Sequence, residues 1–200
     1  MKNPEKKKNP IDSPVLKTIK KKFPFLESKW EEYESFFKEK KIPAKTTLLR
    51  QGEISKYVYF IEEGCLRLGF DENGKDITFQ FFFEGSGVAS MESFKSSLPS
   101  LFFLESVEPC KLIVIHRNDA LYLFEKHEEF KNYLIEFLFA RISNYTRLFL
   151  SRIKDSPEER YKELIRQDPK IMDRIPHHYI ASYLGITPVS LSRIRNRTRS

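Results

Sequence analysis

The chain has 200 residues, which is enough for one medium domain together with a small one. Hydrophobic residues make up 40% of it and include 18 Phe, so a globally disordered chain is excluded. The formal net charge of +7 favours a polyanionic partner.

The two cysteines, Cys65 and Cys110, lie far apart in strand-like runs and form no CxxC or Cys/His cluster. We therefore expect reduced, buried thiols and no metal site. The lysines near the N-terminus precede no signal-peptide core, and no apolar run approaches membrane-spanning length. These features predict a cytoplasmic protein without a membrane partner.

The N-terminal part reads as a tail followed by a helix. Residues 1–22 are rich in Lys, Asn and Pro, which predicts a basic flexible tail. From Glu27 to about Lys40, the aromatic residues Trp30, Tyr33 and Phe37 follow helical spacing. This pattern predicts an amphipathic helix that packs on the next segment.

Residues 23–127 are expected to form a domain built mainly of strands. From Ile42 to Ile115 the apolar pattern alternates with a period of two, as in Leu66, Leu68 and Phe70. Asp-Glu-Asn-Gly at 71–74 is typical of a hairpin turn. Many short strands with such turns favour an antiparallel β sandwich or jelly roll.

A long helix is predicted over residues 128–154, after a short helix capped by Asn118 or Asp119. No Gly or Pro interrupts it, and its apolar surface is broad. One near-heptad seam consists of Leu134, Leu138, Ile142, Tyr145 and Phe149. The seam favours a homodimer interface, and the alternative is a helix buried within one chain.

Residues 155–200 are predicted to form a small helical domain. Ser156-Pro157 begins its first helix with a cap and a proline at the first helical position. Two short helices then follow. Gly185 ends the first of them, and Thr187 and Pro188 begin the second. This arrangement indicates a helix-turn-helix.

The outer face of the second helix combines small side chains with long cationic ones, and no acidic residue follows Asp173. That composition suits double-stranded DNA, with Arg193 reaching a guanine edge and other arginines, Arg174 and Arg199 among them, contacting phosphates. The alternative is a solvated basic helix. The predicted DNA-contacting residues are Thr187, Pro188, Val189, Ser190, Ser192, Arg193, Arg195, Asn196 and Arg197.

The order of these parts resembles the Crp/Fnr family of bacterial transcription regulators. The resemblance rests on residues 49–53, 59–64, 83–85 and 115–119, and most specifically on residues 180–195. It implies an α+β fold: an N-terminal jelly roll (a double-stranded β-helix) flanked by helices, a long dimerisation helix and a C-terminal helix-turn-helix. It also implies a homodimeric, sequence-specific DNA-binding regulator, for which RNA polymerase is a further candidate partner.

The sequence departs from the family at the phosphate-binding cassette. Family members that bind cyclic AMP carry a Gly-Glu-Leu turn and an Arg-Ser/Thr-Ala segment, where this chain has Ala89, Ser90 and Met91, then Ser100, Leu101 and Phe102. No arginine lies between Arg67 and Arg117, and Lys95 is a weak substitute. We therefore expect a degenerate effector pocket that does not bind cyclic AMP, and the effector stays unidentified.

Two features of other family members and one class of enzyme can also be compared with the sequence. The chain ends without the β-hairpin wing of many family members, and it lacks the N-terminal cysteine cluster of the iron-sulfur branch. A cupin-type enzyme would need two or three converging His and a carboxylate, but the four histidines form no such cluster. We expect no enzyme activity and no cofactor. A cyclic-nucleotide or other small-molecule-binding regulatory module acting on a protein partner is the alternative.

Overall fold

A computed structural model describes residues 13–198 of the chain. The strands in this part are β1 (Phe37–Ile42), β2 (Thr47–Leu49), β3 (Tyr57–Glu63), β4 (Leu66–Glu72), β5 (Lys75–Phe82), β6 (Gly87–Val88), β7 (Phe103–Ser106) and β8 (Cys110–His116). The α-helices are α1 (Pro14–Lys22), α2 (Pro24–Ser28), α3 (Trp30–Tyr33), α4 (Met91–Ser96), α5 (Arg117–Lys126), α6 (Glu128–Lys154), α7 (Pro157–Gln167), α8 (Ile171–Arg174), α9 (His177–Leu184) and α10 (Pro188–Thr198).

The strands form two antiparallel sheets of four, in the orders β1-β8-β3-β6 and β2-β7-β4-β5. A core of alternating inward side chains lies between them, with Ile61, Leu66, Leu104 and Leu112 almost fully buried. The hairpin predicted at residues 71–74 joins β4 to β5. The predicted α+β fold with an antiparallel, jelly-roll-like domain is confirmed.

Helix α1 occupies part of the predicted N-terminal tail. Residues 14–22 form α1, so the flexible tail predicted to reach residue 22 is wrong over these residues, and residues 1–12 lie outside the described part. Ser13 accepts the backbone N–H of Leu16 at 3.0 Å, and Pro14 occupies the first helical position. Leu16 is 2% exposed, which anchors the helix to the β domain.

The helix predicted from Glu27 to Lys40 is also wrong. Short helices α2 and α3 are followed by a 3-10 turn over Glu34–Phe36, and β1 begins at Phe37. Phe37 is buried and pairs with Ile115 of β8. Sheet pairing and burial therefore outweigh the helical spacing of the three aromatic residues.

The cap of helix α5 lies two residues before Asn118, the earlier of the two predicted caps. The ring Nδ1 of His116 accepts the backbone N–H of Asn118 at 3.2 Å, so His116 is the cap, rather than Asn118 or Asp119. Helix α6 follows over the predicted range, Glu128–Lys154. Its first turn is anchored by Phe130, which is buried beside Phe23 at a ring-centroid distance of 4.5 Å.

The C-terminal helices pack around a core of their own that also touches the sheet. Ser156 and Glu159 form a capping box at the start of α7, as the sequence predicts. Gly185 ends α9 with φ +68°, a left-handed conformation that glycine adopts at little cost. Together with Cys65, Phe81 and Val107, this core contains Tyr161, Leu164, Ile171, Ile175, Tyr179, Ile180, Ala181, Leu184, Leu191 and Ile194.

Candidate nucleic-acid interface

Helix α10 has one buried face and one open face. Leu191 and Ile194 point into the C-terminal core, and the Thr187 side chain accepts the backbone N–H of Ser190 at 3.1 Å to begin the helix. Most of the predicted DNA-contacting residues are exposed, with Val189 at 61%. The exposed residues of the set are Thr187, Pro188, Val189, Ser192, Arg193, Asn196 and Arg197.

Two residues of the predicted set are half-buried. The Ser190 hydroxyl lies 3.0 Å from that of Thr187 and belongs to the helix start. Arg195 turns toward α9, where its Nη1 lies 3.4 Å from Nε2 of His177. The Arg195 Nε–H is buried and lacks an acceptor among residues 13–198. Arg195 therefore lies on the flank of α10 rather than on its open face.

Arg174 has a structural role instead of the predicted phosphate contact. Its guanidinium donates to Oε1 of Glu84 at 2.7 Å and also bonds the carboxylate of Glu108. Burial opposes ionisation of Glu84, but hydrogen bonds, above all from Arg174, hold its pKa below the ordinary value. Both acids belong to the β domain, so Arg174 ties the C-terminal helices to the sheets.

Helix α9 packs on the outer face of β5, an interface that the sequence did not reveal. The backbone N–H of Thr78 donates to Oγ of Ser182 at 3.0 Å. Beside this bond lies Arg67, only 2% exposed, which donates to both oxygens of Asp76 at 2.6 Å and to Glu105. Arg67 alternates with the inward Leu66 and Leu68 along β4, which is consistent with the outer face of the strand. Nothing in the sequence pattern indicates that α9 covers that face.

The two segments aligned with the phosphate-binding cassette do come together. Ala89, Ser90 and Ser100 are buried, and the Ser100 hydroxyl donates to that of Ser90 at 2.7 Å. Met91 begins α4, Leu101 is 66% exposed, and Phe102 is half-buried. The two serine hydroxyls thus face each other where the two cassette segments meet.

Two cations near these segments, Lys95 and Arg117, do not supply the missing charge. Lys95 is exposed at the end of α4. Arg117 donates its Nε–H to the carbonyl of Phe94 at 2.5 Å and an Nη–H to the carbonyl of Lys95 at 3.3 Å. Arg117 therefore caps α4, and its guanidinium is engaged with backbone carbonyls.

The outward apolar seam of α6 shares only Ile142 and Phe149 with the predicted one. Ile142 and Phe149 are exposed at 59% and 65%, whereas Leu134 and Leu138 are half-buried. Tyr145 turns to the sheet, with its ring 5.5 Å from that of Phe79, and burial raises its pKa. The outward seam consists of Ile135, Phe139, Ile142, Phe149 and Ile153.

The described residues contain no three-ligand metal cluster and no membrane-spanning helix. Over residues 13–198, no cluster of three His, Cys, Asp or Glu side chains is placed to hold a metal ion. In the same range, no helix is both long and apolar enough to span a bilayer. Burial raises the pKa of Cys110 to about 11, so its thiol stays protonated at neutral pH.

Residues 39–127 match the family model described as the cyclic nucleotide-binding domain. No curated protein sequence matches the chain. Among solved structures, the c-di-GMP responsive global regulator CLP of Xanthomonas campestris is similar with a TM-score of 0.67 and 16% identity. That alignment covers 86% of this chain and 91% of CLP.

Two further solved structures share the fold over most of their length. FixK2 from Bradyrhizobium japonicum has a TM-score of 0.72 at 14% identity, covering 82% of this chain and 84% of FixK2. A transcriptional regulator of the crp/fnr family from Eubacterium rectale has a TM-score of 0.72 at 16% identity, covering 90% and 88%. These matches confirm the fold that the sequence resemblance implied.

Proposed function

We propose that this chain, which has the fold of the Crp/Fnr transcription regulators and a cyclic nucleotide-binding domain at residues 39–127, is a homodimeric, sequence-specific DNA-binding regulator. The observation that carries the proposal is the open face of α10. It presents Val189, Ser192, Arg193 and Arg197 to solvent on a helix fixed from behind by two buried apolar residues. Small residues followed by long cations suit entry into a major groove.

The outward seam of α6 supports the proposed dimer. Five large apolar side chains are each at least 49% exposed along one helix face. Water contact with so much apolar surface is costly, and a second copy of the same helix would cover it. A twofold axis along α6 would present two copies of α10, which predicts a pseudo-palindromic site with half-sites about one helical turn apart.

The cassette region is not expected to bind cyclic nucleotides in the family manner. A cyclic phosphate needs a charged donor, but the facing hydroxyls of Ser90 and Ser100 bond each other. Lys95 is exposed and Arg117 is engaged with backbone carbonyls. Regulation would therefore depend on another effector or on the abundance of the protein.

A selection from random duplex DNA tests the function directly. The purified full-length protein should enrich a pseudo-palindrome, and its affinity should fall by orders of magnitude between about 50 and 200 mM salt. Enrichment of no sequence together with flat salt dependence would overturn the proposal and favour a module that acts on a protein partner.

A further inference from the structure

A cavity of about 500 Å³ lies where the C-terminal helices meet the β domain, and its lining residue Phe79 is in ring contact with Phe102 of the second cassette segment. Its walls come from the β4–β5 hairpin, the C-terminal half of α6, and helices α7 and α9. Most of the lining is apolar, and this volume is within the range of small-molecule sites. The apolar lining includes Phe70, Ile77, Phe79, Tyr145, Leu148 and Leu164.

Two arginines line the cavity beside this apolar surface. Arg152 donates to the carbonyl of Tyr183 at 2.7 Å, and Arg160 donates to the carbonyls of Asp155 and Leu184 at 2.6 and 3.0 Å. Among the described residues, neither guanidinium forms an ion pair with a carboxylate. The Nε–H of Arg160 is also buried without an acceptor in residues 13–198.

The one acidic residue that lines the cavity is already neutralised. Glu163 accepts two hydrogen bonds from Arg166, at 2.7 and 2.8 Å, and another from Gln167 at 2.7 Å. These bonds lower the pKa of Glu163 to about 2, with the largest contribution from Arg166. The local charge left without a counter-ion is therefore positive.

We propose that this cavity binds a small amphipathic carboxylic acid, with its apolar body against Phe79 and Leu148 and its carboxylate beside Arg152 and Arg160. A carboxylate supplies the counter-charge that both guanidinium groups lack among the described residues, and a charge-assisted hydrogen bond is stronger than a neutral one. A neutral molecule would leave the two positive charges without a counter-ion, and a cation would be repelled. The site therefore discriminates by charge.

The position of the cavity makes such a ligand a candidate signal. Tyr183 and Leu184 end α9, while Phe149 belongs to the outward seam of α6. A ligand in the cavity would contact the helix that supports α10 and the helix proposed to form the dimer. This regulatory step rests on the proposed function, whereas ligand binding itself does not.

Titration calorimetry of the full chain with dodecanoate, dodecanol and dodecylamine tests the site without DNA. Dodecanoate should bind with one molecule per chain and at least about tenfold more tightly than dodecanol, because only the acid carries a negative charge that pairs with the guanidinium groups. Dodecylamine should bind more weakly than either. Equal binding of the acid and the amine would overturn the proposal.

Two variants locate the binding. Leu148→Trp fills the cavity and should abolish dodecanoate binding, while Leu150→Trp, a matched change on the same helix outside the lining, should leave it unchanged. If Leu148→Trp fails to fold, Arg152→Gln at an exposed position serves instead and should reduce the preference for dodecanoate over dodecanol, with Arg160 still present. Binding unaffected by Leu148→Trp or by Arg152→Gln would contradict the site. Selection from random duplex DNA with the same samples tests the proposed function separately. A failure of ligand binding can then be distinguished from a failure of DNA binding.

Discussion

The guanidinium of Arg67 in β4 lies 3.9 Å above the ring centroid of Tyr179 in α9. Arg67 is almost completely buried at this point, and it forms ion pairs with Asp76 and Glu105 of the two neighbouring strands. The contact joins a charged network of the β domain to the helix that supports α10. It therefore fixes the orientation of the C-terminal helices on the sheet.

Replacing Arg67 with Met should destabilise the protein. The change removes four hydrogen bonds to Asp76 and Glu105 and the stacking on Tyr179, and it leaves Glu105 half-buried without its cation. Because Asp76 remains partly hydrated, we expect a loss of about 2–3 kcal/mol in the free energy of unfolding, below the full range for buried pairs. Urea denaturation measures this loss.

The control is Arg50→Met, which breaks an ion pair with Glu53 whose side chains are 75% and 52% exposed. Such a pair contributes little, so the change should stay within about 0.5 kcal/mol. A similar small loss for Arg67→Met would mean that the buried network does not stabilise the interface.

The dimer proposal makes a separate prediction for α6. Charging two positions of the outward seam, in Ile142→Glu with Phe149→Glu, should give monomers in sedimentation because both side chains are exposed in a single chain. The matched control is Ala140→Glu with Ser143→Glu. These two exposed positions directly follow the seam residues Phe139 and Ile142, and this variant should remain dimeric. A dimer in both variants would remove the seam from the proposed interface.

A serine cap followed by proline marks the start of two helices in this chain. Ser156-Pro157 identified the start of α7, and Ser13-Pro14 carries the same signal at the start of α1. The lysine-rich context led to the prediction of a tail, even though the cap was present. Local capping chemistry was informative in both places, and composition was misleading in one.

Long-range contacts account for the other errors. Phe37 fits a helical spacing with Trp30 and Tyr33, but its strand partner Ile115 lies 78 residues later and gives no local signal. Tyr145 fits a near-heptad seam, yet Phe79 of β5 draws it inward. On a helix with a broad apolar surface, periodicity shows that two faces exist but does not assign each face to its partner.

Two arginines of α10 should behave differently on replacement by Ala. Both Arg193 and Arg197 are exposed, but Arg193 lies nearer the start of the helix, where side chains reach base edges. Arg193→Ala should cost about 1–3 kcal/mol at the selected site and relax the preference at one position in each half-site. Arg197→Ala should weaken all sequences equally and reduce the salt slope by about one.

Binding to DNA libraries at several salt concentrations measures both effects. Arg195→Ala provides a comparison, because Arg195 packs toward His177 on the flank of the helix. An unchanged site preference in Arg193→Ala would show that α10 enters the groove in another orientation.

Cyclic nucleotides should leave the thermal stability of the protein unchanged. A ligand at a hundred times its Kd adds about 2.7 kcal/mol to stability, which a thermal-shift titration detects readily. With Ser90 bonded to Ser100 and Arg117 engaged at α4, we expect a flat response to millimolar cyclic AMP and cyclic GMP. A saturable rise would instead mean that Lys95 or backbone N–H groups bind the phosphate.

His127 should make the stability depend on pH. It lies between α5 and α6, where its ring stacks on Phe25 at 3.7 Å and its Nε2 lies 3.0 Å from the hydroxyl of Tyr33. Burial, followed by the nearby charges of Lys29 and Lys126, lowers its pKa below the ordinary value of 6.5, against the opposing charges of Glu32 and Glu129. The folded protein therefore favours the neutral ring.

Below pH 6.5 the unfolded chain binds a proton at His127 more readily than the folded chain does. The contribution of this residue to stability is therefore complete above that pH and is lost as the pH falls toward the lower folded value. Urea denaturation of the wild type at pH 7.5 and 5.5 should show the loss. His127→Phe keeps a ring for stacking on Phe25 but cannot titrate, so its stability should fall less over the same range. An equal fall in both proteins would assign the pH dependence to other groups.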